Sequence, residues 1–142
     1  MTMEWFKDEL EIRTDGKGLY AVTDDVEKMI REWGVHEGMC FLYLPHASAS
    51  LTITESYDSS ARRDVEEFYE RTVPEGESWY NHTLEGPDDS PSHIRATLTQ
   101  PSLTIPIAEG ALRLGTWQGV FVFDHRSRGR CRHLLVHCLK IS

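Results

Sequence analysis

Gly119-Val120-Phe121-Val122-Phe123-Asp124-His125-Arg126-Ser127-Arg128-Gly129-Arg130-Cys131-Arg132-His133-Leu134-Leu135-Val136-His137-Cys138-Leu139-Lys140 is the stretch on which the fold turns. Two runs rich in β-branched and aromatic residues, 119–125 and 131–140, flank Ser127-Arg128-Gly129-Arg130. They read as two strands joined in a hairpin. Upstream, Leu103, Ile105 and Ile107 alternate with Thr104, Pro106 and Ala108. That is a third strand, and Pro106, with no N–H to give a ladder, places it at an edge or a bulge. Glu109-Gly110 between them is a turn signal.

The earlier residues are mixed. Residues 5–13 read as a strand and Asp15-Gly16-Lys17-Gly18 as a turn. An amphipathic helix follows: Thr23 as its cap, Asp24 and Asp25 at its positive end, Val26, Met29, Ile30 and Trp33 on one face, and Gly34 as the stop. Residues 39–44 form a continuous apolar strand ended by Pro45, and residues 51–54 alternate as another. A second helix starts near Asp58 or Ser59 with Val65, Phe68, Tyr69 and Thr72 on one face. Residues 92–98 make a short third helix. Mixed strands and helices followed by a run of strands, without regular βα alternation, give an α+β domain spanning residues 1–142.

At 142 residues the chain is long enough to bury roughly 68–70% of its unfolded surface. A net charge of −8 argues against a general nucleic-acid or anionic-membrane surface. No apolar run approaches the roughly 20 residues that cross a bilayer. The N-terminus lacks the basic and apolar regions of a secretory signal, so a cytoplasmic chain is expected. Cys40, Cys131 and Cys138 are an odd count without C-x-x-C spacing, and all three are expected to pack as small hydrophobes.

Chemistry concentrates in residues 80–98, Tyr-Asn-His-Thr-Leu-Glu-Gly-Pro-Asp-Asp-Ser-Pro-Ser-His-Ile-Arg-Ala-Thr-Leu. A turn needs its Gly, Pro and Asp residues but not its imidazoles. Of the chain's seven histidines, His36 reads as solvated surface and His125 is ambiguous. His133 and His137 share a strand face but lie about 13 Å apart, too far to chelate one ion. His46, at the end of a buried strand, and His82 and His93, flanking the acidic turn, fit a zinc-like site with an open position. On spacing alone, hydrogen-bonded structural histidines are the preferred reading and a metal site the second. Asp88 and Asp89 either favour the start of the third helix or orient a histidine or a Mg²⁺, with Glu85 as general base. Anion-handling candidates are Ser48, Thr116, Gln118 and Arg126, the last a bidentate phosphate donor. Their competitors are a glycine-framed turn around Trp117 and a solvated arginine-rich hairpin, the reading preferred for Arg128 and Arg130. Ser48, His82 and Asp89 make a triad on paper, but no G-x-S-x-G elbow supports it.

Together these segments resemble the YjbQ-like family, also labelled secondary thiamine-phosphate synthase. The matching pieces are His46-Ala47-Ser48-Ala49-Ser50-Leu51-Thr52-Ile53-Thr54-Glu55, Tyr80-Asn81-His82, residues 85–95, Ile105-Pro106-Ile107 and residues 112–119. The resemblance implies an α+β fold with a two-sheet sandwich-like core, two main helices and a short third one, assembled as a homotrimer. It also implies that His46, His82 and His93 bind a divalent, zinc-like metal, with Mg²⁺ open for a diphosphate substrate. The implied partner is a small phosphorylated metabolite. The implied reaction joins a hydroxymethylpyrimidine diphosphate to a thiazole phosphate with loss of diphosphate; a metal-dependent phosphatase and a non-catalytic binding module are the alternatives. Tyr57-Asp58-Ser59-Ser60, Gln100-Pro101 and Asp124-His125-Arg126 depart from the family pattern. The main thiamine-phosphate synthases are (β/α)₈ barrels, for which this chain is too short, so such an activity would be a separate site.

Overall fold

The computed structural model describes residues 2–142. In chain order it runs β1 (Glu4–Arg13), β2 (Gly18–Ala21), α1 (Thr23–Glu32), β3 (Gly38–Tyr43), β4 (Ala49–Glu55) and α2 (Ser59–Thr72). Then come α3 (Asp89–Leu98), β5 (Ser102–Ala108), β6 (Ala111–Leu112), β7 (Gln118–Asp124) and β8 (Cys131–Lys140). All pairings are antiparallel, in a five-stranded sheet ordered β1-β8-β3-β5-β6 and a three-stranded sheet ordered β2-β7-β4. This is the expected α+β class with two sheets and three helices.

The two sheets face each other. Cys40, Leu42, Leu134, Val136 and Cys138 from the large sheet meet Leu51, Val120 and Val122 from the small one, and Val26 and Ile30 of α1 close the same core. α2 covers the other side of the small sheet, where Tyr69 meets Phe123 edge-on with ring centroids 4.9 Å apart. β7 is therefore covered on both faces and is buried from Gly119 to Asp124, whereas β8 alternates.

Several local expectations change. β7 and β8 are not a hairpin: β7 pairs with β2 and β4, β8 with β1 and β3, and the loop between them crosses from one sheet to the other. β2 is a strand too short for an alternation to declare itself. Thr23 does not cap α1; its hydroxyl accepts from the Val120 N–H at 2.8 Å and ties the helix start to β7. On α2 the inward face includes Arg62, which donates to the Ser56 carbonyl, and Glu66, which accepts from the Leu19 N–H. Phe68 stays exposed. α3 begins at Asp89, three residues before the expected start. Pro106 lies on β5, next to the two-residue β6 at the sheet edge, as its missing donor requires.

Gly38 is needed where β3 meets β8. A Cβ there would stand 1.9 Å from the Leu139 carbonyl oxygen, and that oxygen belongs to the backbone of β8, an interior strand paired on both sides. Gly38→Ala is expected to cost about 1–3 kcal/mol by forcing the two strands apart. Urea denaturation measures it, and an unchanged midpoint would contradict the packing described.

Candidate metal centre

Residues 73–88 run from α2 to α3 and lay His82 against the first turns of α3. Gly86 adopts φ +105°, a conformation that a side chain would strain, and so lets the chain turn into Asp88 and Asp89. Asp89 and His93, four residues apart on α3, present side chains on one face. The third member, His82, reaches them from the loop. His82 Nε2 lies 2.6 Å from Asp89 Oδ2, and His93 Nε2 lies 3.2 Å from Asp89 Oδ1. These three groups bring ligating atoms within 4.8 Å of one another. Asp89 is buried at the floor, while His82 and His93 face solvent.

The tautomer of His93 follows from its surroundings. Its Nδ1 stands 2.9 Å from the Ala47 carbonyl, which only accepts, so Nδ1 carries a proton and donates it. In the neutral ring Nε2 then holds a lone pair aimed at a carboxylate oxygen 3.2 Å away. Two acceptors at that separation repel unless a second proton or a cation lies between them. A metal ligand oriented through its other ring nitrogen by a backbone carbonyl is a common arrangement. The residues fit a divalent ion.

Arg126 braces this floor. Its Nε donates to Asp88 Oδ2 at 2.8 Å, its Nη1 to Asp89 Oδ1 at 2.7 Å and its Nη2 to the Glu85 carbonyl at 3.2 Å. Burial alone would raise the Asp88 carboxyl. The Arg126 guanidinium and the Ser127 N–H outweigh it and hold the group down at about 2. Neither aspartate side chain caps the helix. Both are held by the site.

The predicted site residues do not all converge. His46, expected as the third metal ligand, is held elsewhere within the chain. Its Nε2 accepts from the His133 N–H at 3.0 Å, and its Nδ1 faces Arg132 Nη1 at 3.3 Å. Burial, then the nearby Arg132 charge, lower its pKa. The third group within ligating distance of His82 and His93 is Asp89 instead. Ser48 is buried, its hydroxyl accepting from Arg132 Nη2 at 2.9 Å. Gln118 closes its own turn by accepting from the Gly115 N–H at 2.7 Å. Gln118 opens β7 and Thr116 precedes it, about 20 Å from the end that leads to Arg126. The expected anion wall of Ser48, Thr116, Gln118 and Arg126 is therefore not one site, and the paper triad fails because Ser48 is spent on Arg132.

Other arginines stand where the wall was sought. A cleft of ≈ 490 Å³ beside Asp88 is lined by Glu85, Arg126, Ser127, Arg128 and Arg130. The Nε of Arg130 is buried without a hydrogen-bond partner. A second cleft, ≈ 340 Å³, opens on the far side of His82 between Tyr80, Pro87 and Ser90. Arg95, within the chemistry-rich segment, is structural: buried, it donates to the Val73 carbonyl and pairs with Glu70.

Beneath the site lies an ionic cluster that sequence reasoning left out. Asp124 is 0% and Arg132 3% exposed, joined by Nε–Oδ2 at 3.0 Å and Nη2–Oδ1 at 2.8 Å. Asp124 also accepts from Thr14 Oγ1 at 2.7 Å and from the Arg126 N–H at 3.0 Å. Burial would raise its carboxyl, but Arg132 and these donors bring it below the ordinary value.

His125, ambiguous in sequence, is a buried neutral histidine 2.9 Å from Ser50 Oγ. Burial, then the Arg95 charge, take its pKa from 6.5 down to about 3. The folded value lies below the unfolded one, so between them the unfolded chain binds more protons. This stability is full above pH about 6.5 and is lost toward pH 3, at about 1.4 kcal/mol per unit inside the window. His46 acts in the same direction. Urea midpoints at pH 7, 6 and 5 should fall steadily, and less steeply in His125→Gln. Identical slopes in the two proteins would remove His125 as the cause.

Comparison with known proteins gives one answer. A family model described as UPF0047 protein YjbQ-like matches residues 8–141. A UPF0047 protein of Synechocystis is 43% identical over 128 residues, 90% of this chain and 87% of that one. The UPF0047 protein YjbQ of Escherichia coli O157:H7 is 37% identical over 132 residues, 92% and 95% of the two chains. Among solved structures, an uncharacterized YjbQ/UPF0047 protein of Clostridium acetobutylicum superposes with a TM-score of 0.83 at 33% identity, covering 91% and 97%. A YbjQ-like protein of unknown function from Sulfolobus solfataricus gives 0.88 at 24% identity over 98% and 99%, a likeness of fold.

Proposed function

As the chain belongs to the UPF0047 protein YjbQ-like family, we propose that it is a metal-dependent enzyme acting on a small phosphorylated metabolite. The observation that carries this reading is the convergence of His82 Nε2, His93 Nε2 and both Asp89 oxygens beside an arginine-lined cleft. A divalent, zinc-like cation held by His82, Asp89 and His93 supplies Lewis-acid stabilisation of charge on a phosphate or diphosphate oxygen, a role open to Mg²⁺ with diphosphate. Arg128 and Arg130 hold the substrate's phosphate from the cleft wall. Arg126 keeps Asp88 and Asp89 in place rather than binding phosphate itself. The cleft volume suits a metabolite of modest size.

The reaction placed first is the one implied by the family resemblance: a thiazole phosphate nitrogen bonds to the methylene carbon of hydroxymethylpyrimidine diphosphate, and diphosphate leaves. Attack by water is the second reading. It is favoured by Glu85, which lines the cleft with its carboxylate in no ion pair among the described residues and can take the proton from water. The test is metal-stripped protein, reloaded with Zn²⁺ or Mg²⁺, assayed for diphosphate release with both thiamine precursors and for phosphate release from an ester panel. Turnover restored by metal supports the proposal. A retained ligand with no turnover under any metal rejects the enzyme and leaves a binding module.

Arg130→Ala is expected to weaken substrate binding by roughly 10–100-fold, the worth of charge-assisted hydrogen bonds, with a smaller change in kcat. A KM unchanged by the substitution would remove Arg130 from the phosphate site. The same reading makes the assembly a homotrimer. Its support is the uncovered stretch of the large sheet's outer face beside Leu135–Leu139 of β8, where Trp5, Phe41 and Tyr43 are exposed. Light scattering should give three times the chain mass; a monomeric mass rejects it.

A further inference from the structure

The outer face of the large sheet carries a second set of ligating groups, away from the His82–Asp89–His93 centre. Cys131 and His133, two residues apart on β8, point to the same side of the sheet. Glu11 of β1 lies directly opposite His133 in the antiparallel register. All three offer ligand atoms within 4.8 Å of one another. Cys131 was expected to pack as a small hydrophobe, as Cys40 and Cys138 do; it is instead partly exposed.

The spacing matches a coordination shell. Cys131 Sγ and His133 Nε2 are 3.8 Å apart. Sulfur and nitrogen ligands on a tetrahedral Zn²⁺ are separated by about 3.6 Å, given Zn–S near 2.3 Å and Zn–N near 2.0–2.1 Å. His133 is also held from behind. Its ring lies parallel to His46 at a centroid distance of 6.3 Å, its backbone N–H donates to His46 Nε2, and its Nδ1 has Glu9 Oε2 at 3.7 Å. The imidazole thus turns Nε2 toward the thiol. With no cation bound, the Glu11 carboxylate accepts from the thiol and pushes its pKa up.

We propose that Glu11, Cys131 and His133 form a second cation site, selective for zinc-class over calcium- or magnesium-class ions. One thiolate, one imidazole and one carboxylate favour Zn²⁺ and Co²⁺, whereas Mg²⁺ and Ca²⁺ prefer oxygen ligands only. Three protein ligands leave the fourth tetrahedral position to solvent. Binding breaks the Cys131 S–H bond, forms an S–metal bond and releases one proton to the buffer for each ion bound.

Co²⁺ distinguishes this site from the other, because only here can a thiolate bind the ion. The intact, reduced protein titrated with Co²⁺ should develop a thiolate-to-cobalt charge-transfer band, and in His82→Ala, which leaves one centre, that band should saturate at one ion per chain. Cys131→Ser should abolish the band, Glu11→Gln should weaken binding by at least about tenfold, and added Zn²⁺ should displace the Co²⁺. Cys131 lies at the surface, so its replacement by Ser leaves the core intact. His82→Ala should keep the band while losing Co²⁺ from the other centre. Absence of the band at saturating Co²⁺, or its persistence in Cys131→Ser, overturns the proposal.

Discussion

Asp124→Ala is expected to remove about 3–5 kcal/mol of folding stability, the cost of leaving one partner of a buried ion pair uncompensated. Arg132 would keep only Ser48 and the His46 ring around a guanidinium 3% exposed. The effect is larger than for a surface pair because neither charge can be screened by water. It should also reach the metal centre, since Asp124 holds the Arg126 N–H and so positions the guanidinium that braces Asp88 and Asp89. The double substitution Asp124→Leu with Arg132→Met should cost less than Asp124→Ala alone, because no charge is left unpaired. Denaturant unfolding reads both. A loss below about 1 kcal/mol for Asp124→Ala would mean that the pair is not buried as described.

Asp89→Asn is expected to lower affinity for the cation at His82 and His93 by more than about 100-fold, since even outer partners of metal ligands are worth 10–100-fold. The amide keeps the volume of the carboxylate and one oxygen for Arg126, so folding stability should fall by only about 1–3 kcal/mol. Asp88→Asn is the control. Asp88 touches Arg126 and the Ser127 N–H but is not among the three converging ligands. It should change cation affinity less than Asp89→Asn does. Equal effects of the two substitutions on calorimetric Zn²⁺ binding would argue that the aspartates act only through Arg126.

Much of the fold was readable because its strands carry periodic patterns. The pairing was not, and β7 and β8 show why. Residues 119–123 are continuously apolar, the mark of a strand covered on both faces, while residues 131–140 alternate in burial. Neighbours in one sheet share their faces, so this mismatch was a sign that the two strands belong to different sheets. The same phase places Arg132 in step with Leu134, Val136 and Cys138 on the inner face, which marked it as the buried arginine of the four.

At the site, His82 and His93 were legible because imidazoles in a turn have no turn-forming role. Asp89's place as the third group depends on α3 beginning at that residue, so that Asp89 and His93 fall one helical turn apart. His46 belongs to a loop that meets the centre through its neighbour's carbonyl, Ala47 to His93, rather than through its own ring. Sequence shows a histidine near the site, not which way it faces. Arg130 stood outside the expected anion wall because an orphaned buried Nε has no sequence signature.

The central claim is that His82, Asp89 and His93 hold one divalent cation. Crystals grown with saturating Zn²⁺, measured at the zinc absorption edge, test it most directly. The account predicts an anomalous peak about 2.0–2.2 Å from His82 Nε2, His93 Nε2 and an Asp89 oxygen, and no such peak in His93→Ala crystals. Full zinc saturation elsewhere with no peak between these three side chains would contradict it.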